Sequence, residues 1–255
     1  LRKEFLTKDR LFIKIARIFS GKEVSELVIS RIASVLQSFI FVVPDLSQHA
    51  LGPLFSLISY IENQAVFDLL SSITSPSHQI HNFTDTLAKL KIDDLLIKEL
   101  NQNPSEIKKA HIFYIIRNCA KNPSFSELFN TQSIINVLSK FLPCKDHLTN
   151  GHLWQALSAI CSEETYSQMN DILQQAFKIA SEPIYEIHME HTCLWAFLGK
   201  MLLYHNDPEF GNEYQLNHMI INLMVQYPNN SNLIGALFRF IRNGLKVPGY
   251  ATKVI

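Results

Sequence analysis

The stretch EIHMEHTC, residues 186–193, gathers the densest set of side chains able to ligate a metal or move a proton. His188 and His191 stand three apart, with Glu186, Glu190 and Cys193 beside them. On a helix this spacing puts both imidazoles on one face, one turn apart. A zinc protease requires HExxH, with histidines at i and i+4 and the glutamate base directly after the first. The spacing here is HxxH, so one ligand pair is available but the motif is not met. The expected state is a pair of helix-surface histidines holding no metal. No GxSxG, P-loop or GxGxxG occurs elsewhere in the chain. Cys119, Cys144, Cys161 and Cys193 form no CxxC pair, which fits free thiols in a reducing compartment. Neither a catalytic residue nor a cofactor is expected, and the chain reads as a non-enzyme.

Composition points the same way. Of 255 residues 47% are hydrophobic, enough to build a core. No apolar run reaches the roughly 18 residues of a membrane span, so no membrane role is expected, and localisation reads as cytoplasmic, with the nucleus open. The first residue is Leu rather than Met, so the chain is expected to be a fragment or core of a longer one. Net charge is zero but uneven: residues 1–22 carry +5, 23–146 carry −2, 147–230 carry −7 and 231–255 carry +4. Ordinary solvated faces account for this unevenness; the alternative is that differently charged stretches offer partners surfaces of opposite sign. No sustained basic stripe is present, so nucleic acid is not an expected partner.

The elements that would position these residues are helices. Only 8 residues are glycine, about half the usual share, and alternating polar–apolar runs are nearly absent. In the stretch YIENQAVFDLLSSITSP, residues 60–76, Val66, Leu69, Leu70 and Ile73 share one arc of a helical wheel, with Asp68 on the opposite, wet arc. Pro76 ends the run. From Pro104 onward prolines fall at 123, 143, 183, 208, 228 and 248, mostly about twenty residues apart. That rhythm suits paired helices in units of about 40 residues, the size of HEAT and armadillo repeats. A helix over 103–123 opens on an Asn103 cap and is apolar on two sides, including Ile107 and Tyr114. The segment after residue 193 reads as a buried helix. One over 229–245 has an inward set Leu233, Ile234, Leu237, Phe238 and Ile241, with Gly244 as a left-handed terminator. Residues 75–85 and 142–152 read as loops, the latter with the turn dipeptide Asn150-Gly151 and a possible hinge. The expected fold is all-α: a right-handed α-solenoid of paired helices, forming a single helical-repeat domain over 1–255.

Two stretches, HTCLWAFLGKMLLYHNDPEF (191–210) and NEYQLNHMIINLMVQYPNNSNLIGALFRFI (212–241), resemble the SAPS-domain family, the regulatory subunits of serine/threonine protein phosphatases of the type-6 class. The family's aromatic–Pro–Asn–Asn element corresponds to Tyr227, Pro228, Asn229 and Asn230, and the segment around Asp68 also resembles it. After the asparagines the family has a His, where this chain has Ser231, Asn232 and Leu233. The resemblance implies a helical-repeat scaffold that binds a phosphatase catalytic subunit and directs it to substrates. The alternative is an armadillo-type adaptor unrelated to phosphatases. Candidate partner-binding residues are Asp68, Arg117, Arg239 and Arg242 on wet faces, with Asn229 and Asn230, which also suit a helix cap.

Overall fold

The computed structural model describes residues 10–19, 24–77, 81–210 and 215–250. Among them every regular element is a helix. The first six are α1 (Arg10–Phe19), α2 (Glu26–Val42), α3 (Leu51–Ile58), α4 (Gln64–Thr74), α5 (His81–Lys89) and α6 (Ile92–Leu100). They are followed by α7 (Glu106–Lys121), α8 (Ser126–Phe129), α9 (Gln132–Ser139), α10 (His147–Ile160), α11 (Asn170–Ala180), α12 (Met189–His205), α13 (Leu216–Gln226) and α14 (Ser231–Gly244). The chain divides after Phe129 into two compact units, 1–129 and 130–255.

Most of these helices are at or below the roughly 12–15 residues at which an isolated helix becomes marginal in water, so their starts must be specified locally. Asn63, Ser105, Asp146, His188 and Asn230 occupy N-cap positions, each 41 or 42 residues after the one before. Asn63 Oδ1 accepts from Ala65 N, Ser105 Oγ from Lys108 N, Asp146 Oδ2 from Thr149 N at 2.7 Å, and Asn230 Oδ1 from Leu233 N at 3.0 Å. Each such bond satisfies a donor that a helix start leaves open, worth about 1 kcal/mol.

Within each unit the capped helices stack in chain order. In the first, Asn63 hydrogen-bonds Ser30 of α2, Ser105 Oγ donates to Glu62, and Asn122 Nδ2 donates to Thr74 O. The buried Glu99 is paired with Lys108 Nζ at 2.5 Å and also accepts from Ser59 Oγ, which locks α3, α6 and α7 together. In the second unit Lys200 Nζ donates to Ser158 O and Asn243 Nδ2 to Gly199 O. Trp154 lies 5.2 Å from Phe197, and Trp195 meets Phe240 edge-on at 5.6 Å. Side-chain bonds between helices thus recur at separations of one repeat, the packing of an α-solenoid. The caps lie side by side at one end of α10, α12 and α14 and the Lys200 and Asn243 bonds at the other, so these three helices run parallel.

Several expectations are corrected. The stretch 142–152 is not a loop throughout: α10 starts at His147 because Asp146 caps it, and Asn150-Gly151 is buried inside it. Gly151 is there for close approach, since an added Cβ would sit 2.9 Å from Met189 Cγ. The loop over 75–85 is likewise cut short by α5, whose helix begins at His81; residues 78–80 lie outside the described residues. The helix over 103–123 is capped by Ser105, while Asn103 has φ 54° and precedes it. Ile107 of that helix is exposed. In α14 the buried arc is Leu233, Ala236, Leu237, Phe240 and Gly244, and Phe238 is 59% exposed. Gly244 is the last helical residue and leaves room for the Tyr250 ring rather than adopting a left-handed turn.

In α4, Val66 is wholly buried and Asp68 is exposed, accepting from Gln64 Nε2 at 2.8 Å. Val66→Asp should lower stability by several kcal/mol, on the order of an unpaired buried charge, and Asp68→Ala should stay within about 0.5 kcal/mol by urea unfolding. Equal effects would contradict this face assignment. A second pair tests the seam between α12 and α14. An added Cβ at Gly199 would stand 3.0 Å from Phe240 Cα, whereas at Gly235 it would meet nothing within 4 Å. Gly199→Val should cost about 1–3 kcal/mol, and Gly235→Ala should be neutral or stabilise by up to about 1 kcal/mol, both read from thermal melts.

Candidate functional site

The second unit carries a cleft of about 290 Å³ where α10, α12 and α14 meet. Its polar lining comes from Gln155 of α10, His188 and Thr192 at the start of α12, and Asn230 and Asn232 at the start of α14, over apolar Ile187 and Met189. The volume lies at the lower edge of the range for small-molecule sites. Gln155 Oε1 is buried without a hydrogen-bond partner, an acceptor that a donor entering the cleft would satisfy. With Cys193 included, these groups are amides, a hydroxyl, an imidazole and a thiol; the amides and hydroxyl pair with peptide-like donors and acceptors.

His188 faces the cleft from the N-cap position of α12, where it forms a capping box with His191. Its backbone is extended (φ −107°, ψ 171°), so it is the residue before α12, not part of the helix. Its N–H donates to His191 Nδ1 at 3.0 Å. The expected helical pair is therefore corrected: His188 and His191 close a helix start, and their ring centroids are 6.0 Å apart. His188 instead stacks on His147 at 4.0 Å. Glu190 Oε1 accepts from His147 Nδ1 at 2.6 Å and its Oε2 from Asn150 Nδ2 at 2.7 Å, which pins the start of α10 to the start of α12. Among the described residues no group of three His, Cys, Asp or Glu is placed to hold a metal ion.

Two of the buried thiols are poor nucleophiles. Burial pushes Cys161 up to about 12 and Cys119 well above its ordinary value, so both stay protonated at neutral pH. Lys200 of α12 is half-buried, donates to Ser158 O at 2.8 Å and sits 5.8 Å from the Tyr204 ring. Burial lowers its pKa.

Of the residues singled out from sequence, Asn229, Asn230, Arg239 and Arg242 lie in the second unit, on the turn before α14 and along it. Asn230 both caps α14 and lines the cleft. Asp68 and Arg117 belong to the first unit. Arg117 is half-buried, over the Tyr114 ring at 5.5 Å, and on α7 it follows His111, which stacks on Phe67 at 4.1 Å. Gln155, Thr192, Asn232 and Lys200 were not singled out. The cap period would have found one of them: Arg117, Lys200 and Arg242 each stand twelve residues after a cap.

No known protein-family model matches the chain, and no curated protein matches it in sequence. Among solved structures it is similar to the crystal structure of an engineered protein, at 14% identity and a TM-score of 0.47, over 94% of this chain and 91% of that one. Among the described residues no helix is long and apolar enough to cross a membrane.

Burial lowers the pKa of His191, against an opposing pull from Glu190; His188 and His147 lower it further. The native state therefore binds this proton less readily than the unfolded chain, whose histidines titrate near 6.5. Stability from this site is present above about pH 6.5 and lost as pH falls through it. The thermal midpoint should drop between about pH 7.5 and pH 5.5, and His191→Gln should flatten that slope. An unchanged slope in the variant would refute the assignment.

Proposed function

We propose that the protein is a non-catalytic helical-repeat adaptor, and that its partner is the catalytic subunit of a serine/threonine phosphatase of the type-6 class, which it directs to substrates. The observation that carries the adaptor reading is the cleft between successive repeats, lined by Gln155, Thr192, Asn230 and Asn232 with the Gln155 Oε1 acceptor unmet. Amides and a hydroxyl, beside the His188 imidazole and the Cys193 thiol, supply the donors and acceptors that bind and orient a peptide. Stacked repeats present such sites along extended surfaces.

The phosphatase part of the reading is supported by the resemblance over 191–210 and 212–241. Those residues include α12 and α14, two of the three helices that line the cleft. The Tyr227-Pro-Asn-Asn turn joins α13 to α14, and Tyr227 Oη donates to Ile184 O at 2.6 Å, tying it to the segment before α12. No disulfide joins the four cysteines, in keeping with action in a reducing compartment, the cytoplasm or nucleus.

Affinity capture with the full chain as bait tests the partner. Recovery of a type-6 phosphatase catalytic chain at stoichiometric yield, lost on Asn230→Asp together with Asn232→Asp, is the expected result. Reproducible recovery of other proteins with no phosphatase chain would favour the armadillo-type adaptor and overturn the phosphatase assignment.

A further inference from the structure

Two half-open stripes flank the seam between the parallel helices α12 and α14. On α12 they are Thr192, Ala196 and Lys200, spaced i, i+4, i+8; on α14 they are Asn232, Gly235, Arg239 and Arg242, at i, i+3, i+7, i+10. Each set is half-buried or exposed along its length. Thr192 and Asn232 meet at the cleft, and at the other end the Asn243–Gly199 bond brings the residues next to Arg242 and Lys200 together. The seam therefore starts at amides and a hydroxyl, passes two small residues, and ends at three cations. An added Cβ at Gly235 would meet open space, so the middle is unfilled.

Lys200 reaches the Ser158 carbonyl and the Tyr204 ring. None of the three cations pairs with a carboxylate among the described residues. This is so although residues 147–230 hold nine acids against two lysines.

We propose that this seam is the docking track for an extended acidic peptide segment of the partner. Its backbone N–H groups pair with Gln155 Oε1 and the Asn232 amide, and its Asp or Glu carboxylates reach Lys200, Arg239 and Arg242. The track from Thr192 to Lys200 is about 12 Å at the helical rise, which an extended chain covers in about four residues. Backbone pairing needs the narrow, side-chain-free middle that Ala196 and Gly235 leave, and carboxylates match the ammonium and guanidinium ends in charge and geometry. The inference rests on the adaptor reading and names the chemistry of what is bound.

The test is fluorescence anisotropy of the full chain with a short labelled peptide alternating Glu and Ala, and with its Gln-for-Glu counterpart. The Glu peptide should bind, weaken with added salt, and exceed the Gln peptide by roughly tenfold or more. Arg239→Glu with Arg242→Glu should reduce its affinity by about as much, with Arg239→Lys and Arg242→Lys retaining most of it. Lys178→Glu, exposed on α11, should have no effect. Circular dichroism melts of each variant confirm that the fold is kept, since both arginines are exposed. No binding of the Glu peptide, equal binding of both peptides, or unchanged affinity in the charge-reversed protein would each overturn the track. Capture of the phosphatase chain by wild type and charge-reversed protein alike would sink the track and leave the adaptor reading standing. Peptide binding as described without any phosphatase recovered would sink that partner and keep the track.

Discussion

Helices of eight to seventeen residues, each with one greasy side, cannot hold themselves together in water. Within each unit the structure depends on polar residues that start such helices 41 or 42 positions apart, Asn63 and Ser105 in the first and Asp146, His188 and Asn230 in the second, so that neighbouring helices begin in register. The cap is worth only about 1 kcal/mol, far less than the burial of the large side chains behind it. Its importance is positional. A start displaced by one residue would turn the buried arc by about 100° and take Trp154 and Trp195 away from the Phe197 and Phe240 rings they pack on.

Register also explains why the polar chemistry collects where it does. Parallel helices in register bring their starts to one end and their last turns to the other. The starts gather Asp146, His147, His188, Glu190 and Asn230; the later turns gather Lys200, Arg242 and Asn243. At His188 an imidazole stands where an oxygen-bearing cap is usual, and His191 accepts its backbone N–H in return. The same imidazole stacks on His147 and lines the cleft. A cluster that looks like a metal site in sequence is thus spent on closing a helix start and joining two helices. Gly151 and Gly199 do the complementary work, letting neighbouring backbones approach where any Cβ would collide.

A good part of this was legible in the residues. The α4 face was readable because Val66, Leu69, Leu70 and Ile73 repeat at helical spacing with Asp68 opposite. The buried helix after residue 193 was readable because apolar side chains cover most of its wheel. The face of α14 was misjudged at Phe238, because Leu233, Ile234, Leu237, Phe238 and Ile241 form a plausible stripe and nothing local reveals that Ala236 is buried and that Phe240 meets α12 instead. Residues 142–152 misled because Asn-Gly ordinarily marks a turn, while here the Asp146 cap and the close approach of Met189 hold both residues in a helix. The repeat length was visible in the prolines only as a rhythm of about twenty; the sharper period lies in the caps, which become recognisable once the helix starts are known.

By itself, then, the order of residues determined that this chain is helical, where most helices lie, and that the repeat is about 40 residues long, because these follow from local periodicity and from capping and breaking chemistry. Tertiary structure alone decided which of two possible arcs on α14 is buried, that His188 leaves its helix, and that Gln155, Thr192 and Asn232 share a cleft with Asn230. Those facts depend on contacts between residues some 40 positions apart, and the pattern within one helix carries no information about which side its neighbour will cover.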